Sequence, residues 1–538
     1  MTTEPRLDPR MPPRDACVLQ AMVDRLAVDS PDAVFAVFDD GTRWTYADLA
    51  QVVRRTAAGL AGLGIRKGDH VAVWLPNGPD MLRVWFAVNY LGAVMVPVNL
   101  AYRGGVLEHA LDLSDARLIV VHSGLADRLA EVPTARLGAA VVLSGPAPAL
   151  ALPCHGAEVL DGDPAVLDRL DRRVEPWDLQ CLMFTSGTTG RSKAVRSSYL
   201  HLWSVCDYPY RMLTADDRFM VNLPLFHVGG TVPVYAMLMR GASIAVVDSF
   251  RASDFWAAIR RTGSTVVTML GSMTPLVWAA PATPDDADTP LRVALMIPLV
   301  MDARAFGTRF GCEVYTLFNM TEISTPIFSD LYPALPGTCG RLRPGVQGRV
   351  VDGNDCELPP GVVGELVVRA DTPWVFTDGY HRDPQATARA WRNGWFHTGD
   401  ALRSDADGNF FFADRMKDAI RRRGENISSF EVEAEVARHP NVAEVAVIAA
   451  RDAIGEEEVM AVMILRDPAG HDPVEMAGFL QRRLPHFMVP RYLRVVAELP
   501  RTPTQKVQKH VLRDQGITPD TWDREAAGII LKRTRLNA

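Results

Sequence analysis

No uninterrupted apolar run in the 538 residues reaches the ~18–20 needed to cross a bilayer. The richest stretches, such as Ala93 to Val98, have only the length of a strand, so membrane insertion is not expected. A basic excess is missing too: 57 Lys and Arg stand against 64 Asp and Glu, for a formal charge of −7. That balance argues against broad nucleic-acid binding and leaves room only for local basic sites, as at Arg421, Arg422 and Arg423. The seven cysteines are scattered, odd in number and without close pairs, so neither a zinc knuckle nor a disulfide framework is indicated. A reducing cytoplasm fits them best. Met1 to Asp15, rich in Pro and mixed charge, lacks the apolar core of a secretory signal and is expected to be a frayed arm. The Gly-Lys-Ser/Thr ending of a Walker phosphate loop is absent as well, which disfavours an ordinary P-loop ATPase or kinase.

With 48% apolar and 22% charged residues, the chain has a globular composition, and its length implies several domains. Helical patterns alternate with β-branched runs from Trp44 to about Asp248: Ala47–Leu63, Val71–Leu75, Met81–Leu91 and Val94–Val98, then further strands to Met269. This predicts an α/β fold, with a large N-terminal domain of two stacked βαβ sheet subdomains. After Pro336 short Gly- and Pro-punctuated runs predict a small antiparallel β subdomain. From about Lys417 the order helix, strand, strand, helix, strand predicts an α+β C-terminal domain. The expected division is 1–415 and 416–538.

Four segments carry chemistry. In the first, Thr185-Ser186-Gly187-Thr188-Thr189-Gly190 followed by Lys193 places hydroxyls, flexible glycines and a cation directly after an apolar strand, where backbone N–H groups can approach a polyphosphate. In the second, Phe318-Asn319-Met320-Thr321-Glu322 offers an aromatic ring for a base, a hydroxyl for phosphate and a carboxylate for Mg²⁺; a Thr-Glu pair after a strand also suits a helix N-cap. In the third, Asp400 can accept from a ribose diol and Arg415 can reach ribose or phosphate. In the fourth, two prolines rigidify a loop that presents Lys506.

These segments, in this order, resemble the adenylate-forming superfamily of acyl-CoA synthetases, adenylation domains and luciferases, from about Trp44 through Arg513. Arg422-Arg423-Gly424-Glu425-Asn426-Ile427-Ser428, Phe430-Glu431-Val432-Glu433 and Phe255-Trp256 are most similar to bacterial carnitine/crotonobetaine-type CoA ligases. The resemblance implies that ATP and a carboxylic acid give an acyl-adenylate and pyrophosphate, and that a mobile C-terminal domain then rotates so that CoA displaces AMP. By position, Thr185 to Lys193 would hold the β- and γ-phosphates, Phe318 and Asn319 would lie at adenine, Thr321 and Glu322 would hold phosphate and Mg²⁺, and Asp400 and Arg415 would hold ribose. Lys506 would bridge carboxylate and α-phosphate, its loss costing on the order of 10²–10³ in rate, with Lys417 at the hinge. Arg422, Arg423, Gly424, Glu425 and Asn426 would line the CoA side. His227, Val228, Gly229, Gly271, Ser272 and Met296 would wall the acyl pocket.

Three departures fall on the adenylation side: Ala194, Asn319 and Gln505 stand where relatives carry glycine. They keep open a half-reaction enzyme that only thioesterifies a preformed adenylate, told apart by its inertness with acid and ATP. Delivery to a carrier-protein thiol and, in another class, a non-catalytic nucleotide-binding protein also stay open. A small or alicyclic acid is the expected substrate class. Neither its identity nor the oligomeric state is legible.

Overall fold

The structure, a computed structural model, describes residues 8–185, 191–270, 273–335, 337–415, 419–422, 425–452, 456–500, 507 and 509–531.

Two seven-stranded, mostly parallel sheets form the bulk of the chain. In the first, Cys154–His155, Ala139–Leu143, Leu118–His122, His70–Trp74, Val94–Pro97 and Leu179–Thr185 run parallel, and Lys193–Ser198 closes the edge as an antiparallel hairpin arm. In the second, Glu313–Tyr315, Val293–Ile297, Val266–Leu270, Arg218–Val221, Ser243–Val246 and Val34–Phe38 are parallel, with Arg43–Thr45 antiparallel at the edge. Strands buried on both faces need continuous apolar sequence, and Leu118–His122 is buried throughout. Helices lie between the sheets. Tyr46–Gly62 is started by a capping box, Thr45 accepting from the Asp48 N–H while Asp48 accepts from that of Thr45. Its buried side, Leu49, Val53, Ala57 and Leu60, joins Leu82, Trp85 and Phe86 of helix Pro79–Tyr90 and Phe219 and Ile244 of the second sheet in the largest core cluster.

The antiparallel subdomain begins earlier than the texture of the sequence suggests. Leu317–Met320 already pairs antiparallel with Ser324–Phe328, and the eight-stranded sheet runs on through Thr338–Leu342, Phe410–Arg415, Trp395–Ser404, Gly364–Ala370 and Val346–Val351. The N-terminal arm also departs from expectation. Arg14 opens a helical turn, Arg14–Cys17, and donates from Nε to the Val174 carbonyl at 2.7 Å, while Cys17 is fully buried; the end of the arm is tied down here, and residues 1–7 lie outside the described residues.

The C-terminal segments have their own core. Val442–Arg451 pairs antiparallel with Glu457–Leu465, which pairs parallel with Tyr492–Val495, and Trp522–Asp523 adds a fourth strand. Val432, Val436, Val447, Val459, Met476 and Leu480 pack beneath them, and Val106 of the N-terminal part joins this cluster. No helix among the described residues is long and apolar enough to cross a membrane.

Candidate active site

The edge hairpin sets the first part of the site. Leu179–Thr185 pairs with Lys193–Ser198 so that Thr185 sits directly opposite Lys193, which puts a hydroxyl and an ammonium on the two stems of the Gly-rich loop. Ser186, Gly187, Thr188, Thr189 and Gly190 lie outside the described residues. Ala194, the first departure, is fully buried with Leu182 and Phe184; its methyl is absorbed by packing without opening the hairpin.

Thr321 and Glu322 form the turn between Leu317–Met320 and Ser324–Phe328, not the start of a helix. This turn meets the hairpin. Glu322 Oε1 accepts from the Tyr380 hydroxyl at 3.0 Å and from Thr185 Oγ1 at 3.5 Å. The Lys193 ammonium lies 4.4 Å from the centroid of the Tyr380 ring, a cation–π contact. Tyr380 is itself pinned, by a bridge to Val195, by the Arg196 N–H donating to the Gly379 carbonyl at 3.1 Å and by the His381 N–H donating to the Ala194 carbonyl at 2.8 Å. Burial pushes the Glu322 carboxyl above its ordinary value, opposed by the Tyr380 bond and the Lys193 charge. Burial, together with Glu322, drives the Tyr380 phenol up, so it stays a donor. Both bonds use Oε1. A carboxylate oxygen completed by phosphate oxygens is a donor set that fits Mg²⁺.

Phe318 is 8% exposed and packs with Ile323, Ile327 and Cys339, while Asn319 and Thr321 beside it are half-buried. Asp400, buried in strand Trp395–Ser404, pairs in register with Arg415 on the neighbouring strand. The two ribose candidates are therefore adjacent in the sheet. Lys417, Arg423, Gly424 and Lys506 lie outside the described residues, as do the side chains of Arg415 and Asn426.

The C-terminal domain reaches this region at two points. His227 Nε2 lies 3.1 Å from Glu425 Oε2, and Ser192 contacts Glu431. Next to the first contact is a cavity of about 350 Å³ between the domains, lined by Asn99, Arg103, Phe226, Glu425 and Glu525 among others. Arg422 also borders it. It is buried, 2.5 Å from Glu458 Oε2, and donates to the Phe487 carbonyl at 3.0 Å, so its charge is engaged inside the C-terminal core.

Val228 and Gly229 open helix Val228–Arg240 beside His227 and are half-buried. Close packing explains the glycines there: a Cβ on Gly230 would stand 2.3 Å from the Pro224 carbonyl oxygen. Gly271 and Ser272 lie outside the described residues. Met296 is corrected as a pocket wall. It is fully buried with Phe306 and Phe310 beneath the second sheet, while the next residue, Ile297, faces the opposite core.

The family model for AMP-binding enzymes matches residues 23–381, and that for the AMP-binding enzyme C-terminal domain matches 431–506. The chain belongs to the AMP-binding enzyme family. This AMP-binding enzyme is 29% identical to the crotonobetaine/carnitine–CoA ligase of Salmonella paratyphi A, over 92% of this chain and 98% of that one. Among solved structures it is similar to an o-succinylbenzoate CoA synthetase from Bacillus subtilis bound to a product analogue, with a TM-score of 0.78 at 22% identity, covering 92% and 98% of the two chains. It is also similar to a Mycobacterium tuberculosis fatty acyl CoA synthetase, with a TM-score of 0.64 at 24% identity, covering 94% and 99%. These likenesses support the two-sheet fold with a separate C-terminal domain.

Tyr380, which meets Glu322 and Lys193, was missed in the sequence: it sits in an isolated bridge with no periodic pattern around it. The chain contains only six lysines, and Lys193, Lys417 and Lys506 are three of them.

Proposed function

We propose that the enzyme is an AMP-forming acid–thiol ligase that joins a small or alicyclic carboxylic acid to CoA in two steps at one site. In the first, a carboxylate oxygen attacks the α-phosphorus of ATP, the acyl-adenylate forms and pyrophosphate leaves. In the second, the CoA thiol loses its proton to solvent, its sulfur attacks the acyl carbon, and AMP departs with the electrons of the broken acyl–oxygen bond of the mixed anhydride.

The observation that carries this reading is the meeting of Thr185, Lys193, Glu322 and Tyr380 at the mouth of the Gly-rich hairpin. On it, Lys193 and the hairpin hydroxyls bind the outer phosphates, with their charges fixed in a partly dry site where they act strongly. Glu322 would hold Mg²⁺, which when bound neutralises charge on the leaving pyrophosphate. Phe318 faces the base, Asp400 and Arg415 orient the ribose, and Lys506 brings the substrate carboxylate to the α-phosphate. Residues 416–538 work as a mobile unit hinged at Lys417. The contact of Glu425 with His227 and the adjoining cavity support an arrangement suited to the second step, with the acyl group near Val228 and Gly229. The carnitine-type relative supports a short polar acid as the first to try.

The test is acid-dependent pyrophosphate release together with CoA-dependent AMP release across short, aromatic, fatty and steroid-like acids. Neither activity with any acid refutes the reading. Activity on synthetic acyl-AMP with CoA, but none from acid and ATP, replaces it with the half-reaction enzyme.

A further inference from the structure

Ser192 immediately precedes Lys193 at the foot of the hairpin. Its backbone N–H and its hydroxyl both reach the same oxygen, Oε1 of Glu431, at 2.7 Å each, across 239 residues of sequence. Glu431 belongs to helix Ser429–Val436 of the C-terminal domain, and both side chains are buried. Two donors converging on one buried carboxylate make a strong, directional contact. Behind it the Ser192 carbonyl lies 2.8 Å from His109 Nε2, so the residue is held from both sides. Around it Ala101, Tyr102 and Val106 pack against the C-terminal core. Burial pushes the Glu431 carboxyl up, while the Ser192 donors and the charges of His109 and Arg191 draw it down.

We propose that Glu431 is a positioning residue that latches the C-terminal domain onto the hairpin through Ser192, in the arrangement that seats Glu425 on His227. The inference rests on the ligase reading. The latch serves the thioester step and is dispensable for adenylation.

The test compares wild type, Glu431→Gln and Glu431→Ala in the separate half-reactions. Acid-dependent pyrophosphate release is expected to stay within about twofold of wild type, whereas thioester formation from synthetic acyl-AMP and CoA falls by about tenfold or more in Glu431→Ala. Glu431→Gln keeps an oxygen that can accept from Ser192 and is expected to recover part of that loss. Hydrogen exchange at the Ser192 amide gives a readout independent of activity and is expected to speed up in Glu431→Ala. Equal loss in both half-reactions, or no loss in either, with folded protein overturns the latch. If Glu431→Ala does not fold, Glu431→Gln decides by the same split. Wild type that releases no pyrophosphate with any acid overturns the ligase reading instead, before any variant is compared.

Discussion

Replacing Tyr380 by Phe removes one hydroxyl from the site and leaves its ring. The hydroxyl donates to Glu322 at 3.0 Å, and the ring lies 4.4 Å under the Lys193 ammonium. A hydrogen bond to a buried carboxylate contributes about 1.5–3 kcal/mol, and if the ionised Glu322 is needed for adenylation its loss slows that step by about ten- to a hundredfold. The direction of the pH effect follows. Burial raises the Glu322 carboxyl and the Tyr380 bond lowers it, so without the bond the carboxyl rises further and ionises only at higher pH. The acid limb of acid-dependent pyrophosphate release therefore moves to higher pH in Tyr380→Phe. Tyr380→Leu additionally loses the cation–π contact, about 0.5–2 kcal/mol, and is expected to be slower still. A Tyr380→Phe enzyme with wild-type rate and an unmoved acid limb would refute the role given to this hydroxyl.

Glu322→Gln is expected to abolish adenylation yet raise the melting temperature of the unliganded protein at neutral pH by about 1–2 °C. Its raised carboxyl means that the stability it contributes is present at low pH and lost as pH rises through the folded value, and a neutral Gln avoids that loss. Asp217 has the opposite sign. Burial works to raise its carboxyl, but the Arg292 guanidinium at 2.6 Å and donors from Thr214 and Thr265 outweigh it and hold it low. Asp217→Asn is expected to cost about 2–3 kcal/mol in urea denaturation at neutral pH, a gap that narrows as pH falls below about 4. Gly340→Ala meets both a left-handed backbone, φ +102°, and a Cβ position 2.3 Å from the Phe328 carbonyl carbon. A loss of about 3 kcal/mol or more is expected by the same measurement.

The parallel sheets were legible because strands such as Val94–Pro97 and Leu118–His122 are unbroken apolar runs bounded by helical periodicity. The loop between Thr185 and Lys193 was legible as a phosphate-holding segment, but the packing of Tyr380 against Glu322 and Lys193 was not, since Tyr380 lies far along the chain. The early start of the antiparallel subdomain escaped notice because Thr321-Glu322-Ile323 lacks the Gly or Asn that marks most tight turns. Met296 was misplaced by strand parity: on Val293–Ile297 neighbouring residues face opposite cores, and a slip of one exchanges pocket for interior. The ion pair of Arg422 was not legible because its partner Glu458 sits on another strand of the same domain. Charge alone cannot tell a ligand-binding arginine from one engaged in the fold.

The measurement closest to the central claim follows both products in one preparation: pyrophosphate on adding acid and ATP, then AMP on adding CoA, for wild type and Lys506→Ala. The account predicts that wild type releases both, each dependent on its own substrate, and that Lys506→Ala loses pyrophosphate release by on the order of 10²–10³ while still turning over synthetic acyl-AMP with CoA. Full pyrophosphate release by Lys506→Ala, or none by wild type with any acid, would contradict it.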